Sequence, residues 1–411
     1  MWLLLVVVVG LVLRLPLVPL PGFTPDVSLF VAWAERLAGV GPTQFYGGPA
    51  YADAYAYLPG FLYVLWGLGA LFDGEALRIA IKALSIPFDI AIAVVAASLV
   101  GPGFRGRGWA VGLWMLSPGV IVAGTLWGQV DALAGLPILA ALVFAGMARW
   151  APAGVLTAIA FMVKPQFGAV GIVVLVAAAA ESLRAHRWGP VGRCVAAGAA
   201  TSLAIVIPFG LTPLDAIGLL RDAAGTFSAA SLNAFNIWAI VAGFGAPDGP
   251  YLWPATALVV IALGLALLPL WWRRDTATLL ACGAAAALAL YFLPVRVHER
   301  YLLPALVILL PLAASRPGLL APYLALQLGF LISLALAFGQ HELMGAPPEI
   351  ELVRVMLLTR PVQICVAALM LGAGGLTIVR LLRGDAILGA TTSAAFVSPA
   401  SPPIEKQPSG A

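Results

Sequence analysis

Apolar stretches long enough to cross a bilayer recur from one end of this sequence to the other. They fall near residues 3–20, 56–72, 79–101, 108–124, 131–148, 152–164, 166–182, 192–210, 251–272, 276–293, 301–315, 318–339 and 358–380. A helix needs about 20 residues to span a ~30 Å hydrocarbon core. Inside that core the backbone must satisfy its own hydrogen bonds, so such runs are helices unless they alternate like barrel strands, and alternation is absent. Only 10% of the 411 residues are charged and 62% are hydrophobic, too few polar side chains to coat a globule that usually carries about 25% charge. The sequence predicts an all-α, polytopic membrane helix bundle and excludes a soluble domain. Its net charge of +4 carries no nucleic-acid signature, and no nucleic-acid partner is expected.

Charge placement orients the blocks. Arg105, Arg107, Arg149, Arg184, Arg187, Arg193, Arg273, Arg274, Arg316, Arg380 and Arg383 cluster in short connections, which the positive-inside rule assigns to the cytoplasm. The outward connections are then 21–55, Trp127 to Asp131, Lys164 to Gln166, 213–250, Arg296 to Arg300, and 340–357. The parity holds only if block 56–72 does not cross and lies instead as an outer-leaflet helix beginning at Tyr57-Leu58-Pro59. This gives about twelve transmembrane helices plus outer-face juxtamembrane helices, with both termini cytoplasmic. Residues 1–385 form one helical domain, in which 21–78 is the first outer loop and 213–250 and 340–357 are further outer loops. Residues 386–411, rich in Ser, Pro, Thr and Ala, read as a disordered cytoplasmic tail. The N-terminal run lacks a basic start and a small-x-small site, so it reads as the first membrane helix rather than a signal peptide. Abundant Ala, Gly, Leu and Arg with few Lys suggests a GC-rich bacterial genome and an inner membrane.

The outer connections hold residue types that a plain anchor does not need. Thr24-Pro25-Asp26 follows the first helix directly, leaving Asp26 as an N-cap, an ion-pair partner of a nearby Arg, or a general base. The loop continues with Trp33, Glu35, Arg36, Phe45, Tyr46, Tyr51, Asp53, Tyr55 and Tyr57; its aromatics suit an interfacial belt and equally suit stacking on sugar rings. Trp127-Gly128-Gln129-Val130-Asp131 is either a turn with Asp131 as cap and Trp127 as anchor, or the polar floor of an outward cavity. Lys164-Pro165-Gln166 breaks an apolar stretch, with Lys164 free to snorkel or to meet a phosphate. The densest cluster is Arg296-Val297-His298-Glu299-Arg300-Tyr301: ionisable groups at membrane depth are costly and usually functional, and Arg binds phosphate in a bidentate fork. A solvated loop with internal ion pairs is the plainer alternative. Asn233 and Asn236 add hydrogen-bonding capacity, and Lys82 and Asp89, seven residues apart on one helical face, are expected to pair. Cys194, Cys282 and Cys365 are few and scattered, and no disulfide framework, metal motif or certain cofactor is indicated.

In that order these motifs resemble the GT-C superfamily of membrane glycosyltransferases: Asp soon after helix one, Tyr-Leu-Pro, Trp-Gly-Gln-Val-Asp, Lys-Pro-Gln, Asn-Ala-Phe-Asn-x-Trp and Val-His-Glu-Arg-Tyr-Leu. They are closest to the polyprenyl-phosphate-dependent mannosyl- and glucosyltransferases. The resemblance spans about residues 20–305 and leaves out the last two or three helices and the tail. It implies a GT-C-like fold and an inverting enzyme that moves a hexose, mannose or glucose, from a polyprenyl-phosphate donor to a lipid-linked or glycan acceptor at the outer face. The position matching the family's general base is Asp26. His298 and Arg300 match a motif near the donor phosphate, with Arg296 and Lys164 expected beside them. Asp53, Tyr57, Trp127, Gln129, Asp131, Gln166, Asn233, Asn236 and Glu299 are the candidate substrate-binding residues. The sequence departs from the eukaryotic relatives at Leu58-Pro59, where they have two prolines, and at Arg300, where they have Lys. The expected partners are donor, acceptor and membrane lipids; any divalent-metal requirement, the sugar and the acceptor stay open. The rival classes are a secondary transporter, for which no internal repeat is visible, and a lipid flippase or non-catalytic scaffold, which has no need of Asp26.

Overall fold

A computed structural model describes residues 2–47, 57–101, 104–341, 352 and 355–382. Asp53, most of the 340–357 loop and the 386–411 tail lie outside the described residues. Every apolar block is helical, and among the described residues there is no strand, only isolated bridges joining Ala229 to Pro247 and His298 to Leu232 and Asn233. Six helices are long and apolar enough to cross a membrane: Gly74–Leu99, Pro165–Arg184, Gly189–Phe209, Gly249–Trp271, Pro317–Gln340 and Arg360–Leu382. A seventh passes if Gly106–Met115 and Pro118–Trp127, bent by 43°, count as one. Shorter apolar helices alternate with them: Trp2–Leu17, Asp131–Gly146, Trp150–Val163 and Thr276–Phe292, together with Leu303–Ser315.

The bundle has an inner and an outer layer. Thr276–Phe292 and Leu303–Ser315 are buried over almost their whole lengths, with Asp131–Gly146 beside them. Small residues let these helices close up, as expected where van der Waals contact drives association. A Cβ on Gly283 would lie 2.8 Å from Leu142 Cδ1, and one on Gly154 only 2.1 Å from Cys194 O. Gly189–Phe209 and Gly249–Trp271 lie outside, 17% and 11% buried, with Val260, Ile261 and Leu265 each more than 60% exposed. Apolar side chains pointing outward in rows are the surface a lipid solvent covers, and the chain is a helical membrane protein.

The first outer loop is built on this bundle. Helix Pro59–Leu71 has 13 residues, a length of about 20 Å, short of a crossing, as the parity argument requires. It packs against helix Thr24–Val40 and the end of Trp150–Val163. A Cβ on Gly69 would come 2.3 Å from Ala34 O, and one on Gly60 2.4 Å from Met162 O. The loop's aromatics face inward: Phe30, Trp33, Phe45, Tyr46, Tyr57, Phe61, Tyr63 and Phe209 form a continuous edge-to-face cluster. Trp33 and Phe45 are buried in it, so they serve as a core that fastens the loop, neither as a lipid-facing belt nor as an open platform for sugars.

One expected pair is corrected. Asp89 does not bind Lys82: its Oδ2 lies 3.3 Å from Arg14 Nη2, and Trp114 Nε1 donates to its Oδ1 at 3.1 Å. Lys82 donates instead to the carbonyls of Leu17 and Leu20 at the end of the first helix. Shared facing along one helix permits a pair, but a fully buried Arg14 on the neighbouring helix has no other carboxylate to meet, and an unpaired buried charge is the costlier arrangement.

Candidate functional site

The expected outer connections meet at Asp26. Helix Thr24–Val40 begins after Phe23, which occupies the N-cap position without a side-chain cap, and Pro25 sits in its first turn. Proline suits that turn because its missing N–H is unneeded there, and a carboxylate in the first turn is favoured by the helix dipole. Asp26 is therefore inside the helix and makes no cap. Its side chain, 16% exposed, turns to the Trp-Gly-Gln segment: Trp127 Nε1 donates to Oδ2 at 2.7 Å, and Gln129 Nε2 donates to the same oxygen. Arg300 Nη1 stands 3.9 Å from it. Among the described residues, every donor to Asp26 addresses Oδ2.

That segment is shaped by its backbone. Residues Val122–Trp127 form a π-helical turn ended by Gly128 at φ 94°, a left-handed conformation that favours glycine. Ala123 O accepts from Gly128 N and from Gln129 N, and Trp127 O accepts from Phe23 N at 3.0 Å, tying the turn to the start of the Asp26 helix. Any side chain at Gly128 would also strike Val27, 2.8 Å from its Cβ position. The Trp127 indole stacks on Phe23, centroids 4.1 Å apart, and the Arg300 guanidinium carbon lies 5.7 Å from its ring centre, a cation–π contact.

Behind Gln129 lies a buried ionic layer. Pro165 disfavours the helical conformation for the residue before it, so Lys164 is extended, at φ −149° and ψ 109°, where helix Trp150–Val163 ends. Its ammonium, 1% exposed as a residue, donates to Gln129 Oε1 at 2.7 Å and to Asp131 Oδ1 at 2.8 Å. Asp131 is the first residue of its helix, whose N-cap position is Val130, and its carboxylate serves this pair rather than a cap. Lys164, expected at the donor phosphate, is thus engaged inward. Gln166 sits half-buried in the short turn Pro165–Gly168.

The Arg296–Arg300 cluster divides. Arg300 faces Asp26, and its Nη1 donates to Glu299 Oε1 at 2.7 Å. Burial works against the Arg300 charge, but the carboxylates of Asp26 and Glu299 outweigh it and hold the guanidinium above its ordinary range. Burial likewise pushes Glu299 up, yet Arg300 and His298 overcome it and hold the carboxyl down at about 2. His298 Nδ1 lies 3.8 Å from Glu299 Oε2, with its ring between Phe227, edge-on at 4.8 Å, and Tyr301 at 5.3 Å. Arg296 turns away at φ 63° to bind Asp248 and the Ala224 carbonyl. It braces the 213–250 loop instead of facing Asp26.

The loop asparagines are also structural. Asn236 Oδ1 accepts from Trp238 N and Ala239 N, each at 3.1 Å, capping helix Ile237–Val241. Asn233 donates to Gln340 Oε1 at 2.8 Å. Tyr57 is half-buried, and its carbonyl accepts from Tyr46 Oη at 2.7 Å. Sequence reasoning missed Asp248, Phe227 and Phe338, the last of these edge-on to Trp127 at 5.8 Å. Each belongs to a segment remote from the residue it touches, so no local pattern marks it. A cavity of about 350 Å³ opens between helices Thr24–Val40 and Gly74–Ala83; it is lined by Thr24, Ser28, Glu35 and Arg78 among others, but not by Asp26.

The arrangement places an accessible carboxylate beside a permanently charged guanidinium, at the rim of a dry ionic layer. It can hold an anion and accept a proton within one site. Among the described residues no group of three or more His, Cys, Asp or Glu could hold a metal ion. Compared with known families and with curated proteins, the sequence matches no family model and no curated relative.

Proposed function

We propose that this protein is an inverting, GT-C-like glycosyltransferase that moves a hexose from a polyprenyl-phosphate donor to a lipid-linked or glycan acceptor. The observation that carries the reading is the polarisation of Asp26: Trp127, Gln129 and Arg300 all address Oδ2, which leaves Oδ1 to take a proton. In the proposed step Oδ1 removes the acceptor hydroxyl proton, and the acceptor oxygen bonds to the anomeric carbon. The bond from that carbon to the phosphate oxygen breaks on the opposite face, and the polyprenyl phosphate leaves with the electron pair. A single displacement inverts the anomeric centre. Arg300, with His298 two residues away, stabilises the phosphate charge, and orientation supplies much of the remaining rate.

Six long spans, the bent pair and five shorter apolar helices support twelve crossings, with Pro59–Leu71 lying along the outer face. On the positive-inside rule the arginine-bearing connections are cytoplasmic, Asp26 opens to the outside, and the membrane is a bacterial inner membrane. The transporter reading looks to a midplane charge, but both oxygens of the buried Asp89 already have donors.

The test uses protein in nanodiscs with radiolabelled polyprenyl-phosphate hexoses and native lipid extract, comparing wild type with Asp26→Asn. Label passing to a new product with wild type alone is the expected result. Equal transfer by both removes Asp26 from the chemistry. No transfer with any donor returns the protein to the transport class, and uptake into vesicles becomes the next measurement.

A further inference from the structure

The Gln129 carboxamide stands between two groups with opposite demands. On one side is the Lys164 ammonium, which only donates; on the other is the Asp26 carboxylate, which only accepts. The two ends of a carboxamide have nearly the same shape, so its neighbours decide which way it faces. Lys164 Nζ, 2.7 Å from Oε1, admits only the oxygen, and so Nε2 is presented to Asp26 Oδ2. Lys164 is itself fixed by the extended backbone before Pro165 and by Asp131 Oδ1 at 2.8 Å. It is 1% exposed and Gln129 2%, so water does not compete for either bond.

We propose that Lys164 is a positioning residue for Asp26: its ammonium sets the orientation of the Gln129 carboxamide, and through it the oxygen of Asp26 that remains open to the acceptor hydroxyl. The chain runs from Asp131 through Lys164 and Gln129 to Asp26, and Lys164 touches neither donor nor acceptor. Its effect on sugar transfer rests on the glycosyltransferase reading above; its effect on the hydrogen bonds of Asp26 does not. Asp131 has the plainer task of keeping a buried ammonium charged, so losing it alone leaves the hold on Gln129 in place.

The experiment compares Asp131→Asn, Lys164→Met with Asp131→Asn, Gln129→Met, and the triple variant. Removing both charges avoids leaving an orphaned buried ion, and Lys164→Met with Asp131→Leu replaces the pair if the first combination does not fold. Two readouts are taken: steady-state transfer, and the indole N–H resonance of Trp127 in 15N-tryptophan-labelled protein, assigned with Trp127→Phe. Lys164→Met with Asp131→Asn is expected to lower kcat on the order of tenfold to a hundredfold, with donor KM nearly unchanged. Asp131→Asn alone costs little, and adding Gln129→Met to the double variant costs nothing more, as residues acting through one path are not additive. The Trp127 resonance moves in every variant that frees or removes the carboxamide and stays in Asp131→Asn.

A loss in Asp131→Asn as large as in the double variant would make the ion pair merely structural and overturn the proposal. Independent, additive losses would overturn it too, as would a rise in donor KM at constant kcat, which would put Lys164 on the phosphate. If wild type transfers no sugar, the glycosyltransferase reading falls and the indole resonance still decides: its movement on loss of Lys164 sustains the positioning role, and its constancy ends it.

Discussion

The two ends of the bundle treat charge in opposite ways. At the arginine-bearing end, Arg149, Arg184, Arg187, Arg193 and Arg273 are exposed. Their contacts are few and local: Arg193 to the Gly189 carbonyl one turn away, Arg184 to Trp272 O, and Arg273 to Asp275 at 3.6 Å with both side chains about half exposed. At the Asp26 end, Gln129, Asp131, Lys164 and Glu299 are buried and bonded to one another or to Arg300. Exposed pairs contribute little, whereas buried charges are costly unless held in a network. Solvation and membrane orientation account for the first end; the second carries a cost that a role in binding or chemistry explains.

Four outcomes break or sharpen that contrast. Asp26→Asn is expected to lower sugar transfer by about a thousandfold, within the range of general-base contributions, with little change in melting temperature; an unfolded variant would make Asp26 structural. Arg300→Ala is expected to raise donor KM on the order of a hundredfold in titrations with polyprenyl-phosphate sugar, since it removes a charge-assisted anion contact and orphans Glu299. Unchanged donor affinity would dissolve the anion site. Gly128→Ala is expected to cost roughly 2 kcal/mol in thermal or denaturant unfolding, through backbone strain and the clash with Val27. A neutral result would mean that the Trp-Gly-Gln turn does not need its left-handed residue. Arg187→Gln and Arg193→Gln are expected to leave both the melting temperature and the transfer rate essentially unchanged. A large effect from either would erase the distinction between the ends.

The helices were legible from the sequence because apolar length alone specifies them, and the non-crossing Pro59–Leu71 followed from charge parity. The convergence of Asp26, Trp127–Asp131, Lys164 and His298–Arg300 on one end also follows from parity, since alternate connections of an up-and-down bundle share a face. Pairings were harder. Arg14 meets Asp89 across 75 positions, and helical periodicity along one segment carries no information about a partner on another. Arg296 and Arg300 read as one cluster, yet a positive φ at Arg296 sends its side chain to Asp248. The aromatics of the first outer loop suggested a surface because their spacing says nothing about which neighbour covers them.

The π-helical turn Val122–Trp127 has a consequence for how this site tolerates insertion and deletion. It holds one residue more per turn than an α-helix, and that residue sets the angular phase of everything after it. Deleting a single position there would wind the segment back to α and rotate Trp127 by about 100° around the helix axis. Its indole would leave Asp26 although every side chain of the site was still present. Point substitutions test residues one at a time; a one-residue deletion in this turn would test the phasing that lets them meet.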